Sequence, residues 1–316
     1  MPDRVMISVV IPAFNAERTL GACVHSVLAQ TTPADRVIVV DDGSSDGTSA
    51  VAKSFGAQVT LIRQDNQGSA VARQAGTELS SSEYVAYLDA DDWWPEFHLE
   101  KYAEICSSDD VHFLLADFIR ARPGSPPGEH LPRNTTFYPW FLEYLQVHAV
   151  QSATGNLYHL PQPNALDALL RGFPCYPSTM LARRSSVLAA GGWNGRFRRC
   201  QDFDIALRLA RRYPLHFLNE IQATVGINEG NKSVDPYVIQ QTSGDIRVLK
   251  AHYDESVSDH EYRQQVAIAI ARKCYSLGET FRRTGDKPAA RQAYLECLKW
   301  PSKRAKALVR MLSTAV

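Results

Sequence analysis

Four runs of nearly unbroken apolar sequence, 7–12 (ISVVIP), 37–40 (VIVV), 59–62 (VTLI) and 84–88 (YVAYL), alternate with segments of helical period. Strands that lack an apolar–polar alternation are buried on both faces, which happens in parallel sheets joined by helical crossovers. The crossovers are legible: Leu20, Val24, Val27 and Leu28 recur at helical spacing, and 51–55 and 70–79 continue the pattern. This β-α-β-α-β-α-β order predicts a doubly wound α/β sheet, whose ligands lie beyond the carboxyl ends of the strands. Polar clusters occupy two of those ends, 41–48 (DDGSSDGT) and 89–92 (DADD).

The second cluster sets the chemistry. Asp89, Asp91 and Asp92 crowd one turn after an apolar run. Carboxylates so close repel one another, a cost relieved where a hard divalent cation and the phosphates it bridges neutralise them. A solvated acidic turn is the alternative reading.

Composition narrows the partners. The 316 residues are 45% hydrophobic, enough for one large core or two smaller ones. Lys plus Arg and Asp plus Glu both number 34, and zero formal charge argues against nucleic acid as the main partner. Six cysteines without a CxxC pair fit reduced thiols in a cytoplasmic compartment better than disulfides or zinc. No segment has the unbroken apolar length that crosses a bilayer.

Beyond Asp92 the pattern predicts a helix over 96–106, a strand over 111–118, a loop at 122–128 and an aromatic-rich helix over 137–150. An irregular stretch at 154–164, a segment at 165–170, a strand at 179–182, a turn at Gly191 and Gly192 and an amphipathic helix over 202–212 follow. From about 235 the chain is mainly helical, and Gly278, Phe281, Gly285, Ala289, Tyr294 and Pro301 echo a single tetratricopeptide-type unit. Lone repeats do not stack, so an αα-hairpin is the simpler expectation.

These residues together resemble glycosyltransferase family 2, enzymes of the GT-A fold, from Ile7 to about Arg212. The carrying segments are 8–15 (SVVIPAFN), 39–48 (VVDDGSSDGT), Asn66-Gln67-Gly68 with 72–76 (ARQAG), 88–92 (LDADD) and Gln201-Asp202. The resemblance implies two halves of one GT-A domain, 1–105 for the nucleotide sugar and 106–234 for the acceptor, with a helical region at 235–316. It implies a nucleotide sugar against Pro12, Ala13, Phe14, Asn15, Glu17, Asp41, Asp42, Gly68, Arg73, Asp89, Ala90 and Asp91. Asp42 would read a uracil imide N–H, unless Asp41 and Asp42 only cap a turn. Arg73 would reach the diphosphate, or else be a surface arginine. Asp91 and Asp89 would hold Mn²⁺ or Mg²⁺, while Asp92 would bond the donor or tie down its loop.

By the same resemblance Asp202 is the general base of an inverting transfer from a UDP-sugar to a carbohydrate, lipid-linked or other hydroxyl acceptor. An N-capping aspartate is its competing role, and Asp204 the fallback base. Gln201 stands where the family has Glu, a departure that bears on acceptor binding. Trp93 and Trp94 are sugar-stacking candidates whose other reading is packing. A pyrophosphorylase would need a Gly-rich basic loop where 12–17 reads PAFNAE, and a dehydrogenase would need GxGxxG. A non-catalytic nucleotide-sugar scaffold acting through its helical tail is the remaining alternative. Lys299, Lys303, Arg304, Lys306 and Arg310 alternate with apolar residues, as in a basic helix lying peripherally on an anionic inner-membrane surface or in a charged soluble helix.

Overall fold

The apolar runs form the strands that their composition predicts. A computed structural model of the chain describes residues 4–122, 130–227, 234–302, 306–308 and 310. The chain divides into two compact units, Met1–Ile227 and Asn228–Val316. In the first unit the elements run β1 (Ile7–Ala13), α1 (Leu20–Leu28), β2 (Arg36–Asp41), α2 (Thr48–Ser54), β3 (Thr60–Arg63), α3 (Ser69–Leu79), β4 (Tyr84–Tyr87) and α4 (His98–Ser108). They continue with β5 (Phe113–Ala121), α5 (Pro139–His148), β6 (Val150–Gln151), β7 (Leu157–Leu160), α6 (Gln162–Arg171), β8 (Leu181–Arg183), α7 (Arg184–Ala189), α8 (Gln201–Ala210) and β9 (Leu215–Gly226).

One nine-stranded sheet, in the order β3-β2-β1-β4-β8-β5-β9-β7-β6, runs through the first unit. The first four strands are parallel, β8 is antiparallel to β4 and β5, and β5 and β9 are parallel. The chain therefore adds β2 and β3 on one side of β1 and β4 on the other. A crevice opens at such a reversal, beyond the carboxyl ends of β1 and β4. At about 4.8 Å between neighbouring strands, Arg63, Asp41, Ala13 and the end of β4 line one edge about 15 Å long.

Alternate side chains of β1 serve two layers. Ile7, Val9 and Ile11 join Leu20, Cys23, Val24 and Val27 of α1 in the core, whereas Val10 faces α3 at Gly76. A Cβ at Gly76 would collide with both methyls of Val10, so α3 lies closer to the sheet than any larger residue allows. This contact holds α3 in place.

Several expectations are corrected. The stretch at 154–164 is not irregular, because it contains β7 and the start of α6. The segment at 179–182 opens as a 3₁₀ turn, Pro177–Thr179, before β8. Strand β9 had no counterpart in the sequence reading, although it pairs with β5 and β7. Its register with β5 slips around Asp117, a fully buried carboxylate that accepts from Arg133 Nε at 2.6 Å, Thr135 Oγ1 at 2.5 Å and the Phe118 and Thr135 amides. The loop 122–128 lies, apart from Arg122, outside the described residues.

The second unit comprises α9 (Val234–Glu255), α10 (His260–Arg283) and α11 (Lys287–Leu298). Asp259 and Asp286 cap the last two by accepting from Tyr262 N and Ala289 N. The two helices form an αα-hairpin in which Gly278 makes room for the Tyr294 ring. In the basic tail, Lys299 pairs with Glu296 at 2.7 Å and Arg310 with Glu279 at 3.2 Å, and Ala307 is buried. Lys303 and Arg304 lie outside the described residues. Among the described residues no helix is long and apolar enough to cross a membrane.

A Gly76→Ala variant should lose about 1–2 kcal/mol, because overpacking against Val10 outweighs the gain of about 1 kcal/mol in helix propensity. Urea denaturation checks this, and equal or higher stability would refute the close-approach argument.

Candidate active site

The first turns of α3 gather the site. Gly68, at φ +95°, precedes the helix, and its amide donates to Asp42 Oδ2 at 2.7 Å. Asp42, 2% exposed, also accepts from Gln67 N at 2.9 Å and Gln64 Nε2 at 2.7 Å. Ser69 Oγ accepts from Gln201 Nε2 at 2.6 Å. One turn on, the Arg73 guanidinium pairs with Asp89 and lies over the Trp193 ring, 4.9 Å from its centroid. Positions 68, 69 and 73 thus bond the elements that carry Asp42, Asp202 and Asp89.

The turn reading falls on Asp41 rather than Asp42. Asp41 Oδ1 accepts from Ser44 N at 2.9 Å and Oδ2 from the Ser49 hydroxyl, with Arg63 3.9 Å away. Burial pushes its pKa up, but these hydrogen bonds and Arg63 outweigh it and hold the carboxyl below its usual range. The end of β1 is fixed to the same turn. Asn15 adopts φ 49°, donates from its amide to Ser44 Oγ and accepts from Ser45 N at 2.9 Å, and Glu17 accepts from Gly47 N at 3.1 Å. Pro12 and Ala13 are buried, and Phe14 stands 51% exposed at the rim. A polar cavity lined by Gly43, Arg63, Gln64, Asp65 and Asn66 opens beside Asp42.

The three acids of the 89–92 turn have three different fates. Asp89 is matched by Arg73. Asp92 is 1% exposed and accepts from the Ser178 hydroxyl and from Gly226 N at 2.9 Å. Burial, then the charges of Asp89 and Asp91, push its pKa well up, so it ties down the loop and is not offered to a donor. Asp91 remains partly exposed, and Ala90 is buried. Gly226 is required here, since a Cβ would strike the Asp91 carbonyl oxygen. Ser178 also accepts from Asp89 N at 3.1 Å and, through its carbonyl, from Trp94 Nε1 at 2.6 Å.

Trp94 is a packing residue, 4% exposed and stacked on His98 at 3.8 Å, so its sugar-stacking reading is withdrawn. Trp93 is half-buried and bridges backbone-to-backbone with Thr224 of β9. Arg73 is no surface arginine, being 2% exposed. Among the described residues its Nε and Nη1 have no hydrogen-bond acceptor.

Asp202 is not the N-cap of α8. That position belongs to Cys200, at φ 60°, and Asp202 follows at the second helical residue, half-buried. The buried Cys175 thiol is pushed up by burial and then by the charges of Asp117 and Asp202, which places Asp202 near 175. Asp204, the fallback, is 2% exposed and ion-paired with Arg208 at 2.5 Å, which leaves it poorly placed to accept a substrate proton. Ser178, Gly226 and Gln64 were missed from sequence, because their partners lie 22 to 134 positions away.

Among the described residues no three His, Cys, Asp or Glu side chains form a metal cage. That donor set fits a hard cation that takes its other ligands from a diphosphate and water. The two partly exposed carboxylates of the turn, Asp89 and Asp91, offer hard oxygen donors of the kind such a cation takes.

The switch point with its acid-rich turn gives an α/β protein with the architecture of GT-A enzymes. Residues 8–188 match the sequence profile described as Glycosyl transferase family 2, and the chain belongs to that family. Among curated relatives, the UDP-Glc:alpha-D-GlcNAc-diphosphoundecaprenol beta-1,3-glucosyltransferase WfgD of Escherichia coli is 30% identical over 138 residues, 43% of this chain and 54% of WfgD. The chain spans about half the length or less of the curated relatives it matches. The fold is similar to residues 1–349 of S. aureus TarS in complex with UDP-GlcNAc, with TM-score 0.66 and 14% identity, covering 98% of this chain and 89% of that one. It is also similar to the mannosyltransferase PcManGT of Pyrobaculum calidifontis in complex with GDP-Man and Mn²⁺, with TM-score 0.57 and 15% identity, covering 98% and 85%.

The loop after Asp92 is locked by His98, whose Nδ1 donates to the Gln222 carbonyl at 2.8 Å. Burial lowers its pKa from 6.5 to about 3. The unfolded chain therefore takes up a proton below about pH 6.5 that the folded ring refuses, and stability falls as pH drops through that window. Between pH 6.5 and 5 the protein should lose about 2 kcal/mol, at about 1.4 kcal/mol per unit, that a His98→Phe variant retains. Urea titrations of both proteins at the two pH values check this.

Proposed function

We propose that the protein is an inverting glycosyltransferase that moves a sugar from a UDP-sugar to an acceptor hydroxyl. The reading is supported by the start of α3, where Gly68 bonds Asp42, Ser69 bonds Gln201 beside Asp202, and Arg73 bonds Asp89. Family membership and the glycosyltransferase names of the relatives support it.

Asp42 reads the base. A carboxylate offers about four acceptor directions. Three are taken by Gln64, Gln67 and Gly68, and the remaining one accepts an imide N–H. Pro12, Ala13, Phe14, Asn15 and Glu17 shape the wall beside it. The diphosphate lies against the 89–91 turn, with Asp89 turned to the ribose. Leaving donors of a buried arginine without acceptors costs about 1–3 kcal/mol. Phosphate oxygens relieve that cost at Arg73 Nε and Nη1. Asp91, with Asp89 beside it, would hold Mn²⁺ or Mg²⁺, which would supply positive charge beside the diphosphate when bound.

Asp202 takes the proton of the acceptor hydroxyl as its oxygen bonds to the anomeric carbon. The bond from that carbon to the phosphate oxygen breaks on the opposite face, and the proton passes from Asp202 to solvent. Gln201, fixed to Ser69, orients the helix that presents this base. Trp93 borders the sugar. The lipid-linked diphosphate acceptor named for WfgD makes an acceptor of that class the first to try.

The test is a thermal-shift panel of UDP-, GDP- and dTDP-sugars with and without Mn²⁺. A metal-dependent UDP-sugar shift is expected, absent in Asp91→Ala and kept in Asp202→Asn. Slow donor hydrolysis should fall by about 10²-fold or more in Asp202→Asn. No shift with any nucleotide sugar would refute donor binding. Binding without hydrolysis or transfer would leave the scaffold reading standing.

A further inference from the structure

The segment leading into α8 carries Arg196, Arg198 and Arg199 within four positions, all exposed, in a chain whose formal charge is zero. The fold holds this segment at both ends. Asn194 Oδ1 accepts from Arg196 N at 3.0 Å, and the left-handed Cys200 turns the chain into α8, where Gln201 reaches Ser69. Between those anchors Arg198 lies flat against Gly68. A Cβ at position 68 would sit 2.9 Å from Arg198 Nη1, which donates to Asn66 Oδ1 at 3.1 Å. Arg198 therefore stands between the 66–68 turn that grips Asp42 and the helix that presents Asp202. Among the described residues neither Arg198 nor Arg199 has a carboxylate partner.

Guanidinium groups at adjacent positions, as at Arg198 and Arg199, repel one another unless an anion lies between them, and neutral sugar hydroxyls do not need such a concentration of charge. The planar fork of arginine matches paired phosphate oxygens in two parallel hydrogen bonds. We propose that Arg198 and Arg199, with Arg196 beside them, form a phosphate-binding edge over the cleft, for a pyrophosphate group carried by a substrate. This rests on the transferase reading, which supplies two sources for that group: the diphosphate of the donor and a phosphate attached to the acceptor.

Isothermal titration with inorganic pyrophosphate in EDTA, at low salt, tests the edge apart from the metal site. Affinity should fall at least tenfold in the Arg198→Glu, Arg199→Glu double variant, with circular dichroism and melting temperature unchanged. Repeating the titration on wild-type protein saturated with UDP and Mn²⁺ separates the sources. Retained binding assigns the edge to the acceptor, and competition assigns it to the donor. Equal affinities in wild type and double variant, or no pyrophosphate binding in wild type, overturn the proposal. UDP binding with Mn²⁺ is read on the same proteins, so failure of the donor reading appears as its own result.

Discussion

The pairing of buried Arg73 with the partly exposed Asp89 is the interaction on which the cleft depends. An arginine 2% exposed is tolerable only with a charge partner, and a carboxylate beside two others is tolerable only with a cation. Each answers the other's cost. Breaking such a pair from one side typically costs about 3–5 kcal/mol, because the remaining charge stays buried. The Trp193 face adds a cation–π contact to the same guanidinium. With Asp89 matched in this way and Asp92 absorbed by Ser178 and Gly226, Asp92 is the one buried acid of the three, while Asp89 and Asp91 stay partly exposed.

Helix α3 owes its central place to packing as much as to polarity. Gly76 brings it against Val10 on the sheet, which sets its height over the carboxyl edge of β1 and β4. At that height its first residues touch β2 through Asp42, the β4 turn through Asp89 and α8 through Gln201. The side-chain amide at 201 makes its bond to Ser69 as a neutral donor. The link between α8 and α3 therefore does not titrate.

Much of the donor half was legible because its signals are local. Continuous apolar runs, helical spacing and Gly–Asp turns lie within a few residues of the features they specify, and the mixed α/β sheet and the family followed from them. Strand β9 was not legible: its 12 residues, LHFLNEIQATVG, mix inward and outward positions around a register slip at Asp117. Ser178 and Gly226 carry no local mark either. Their roles arise from chain segments 86 to 134 positions away that the fold alone brings to the 89–92 turn. The burial of Arg73 was equally hidden, since a helical arginine after a glycine turn reads the same whether it faces solvent or sheet.

Ser178 uses its single hydroxyl twice, donating to Asp92 and accepting from the amide of Asp89. It lies, as does Gly226, beyond the first four strands in chain order, yet both shape the turn that follows the fourth. An exchange of the chain beyond β4 between family members therefore cannot be cut cleanly after that strand. Positions 178 and 226 belong with the first four strands in everything but chain order, and a chimera that replaces them inherits a misfitted acid turn.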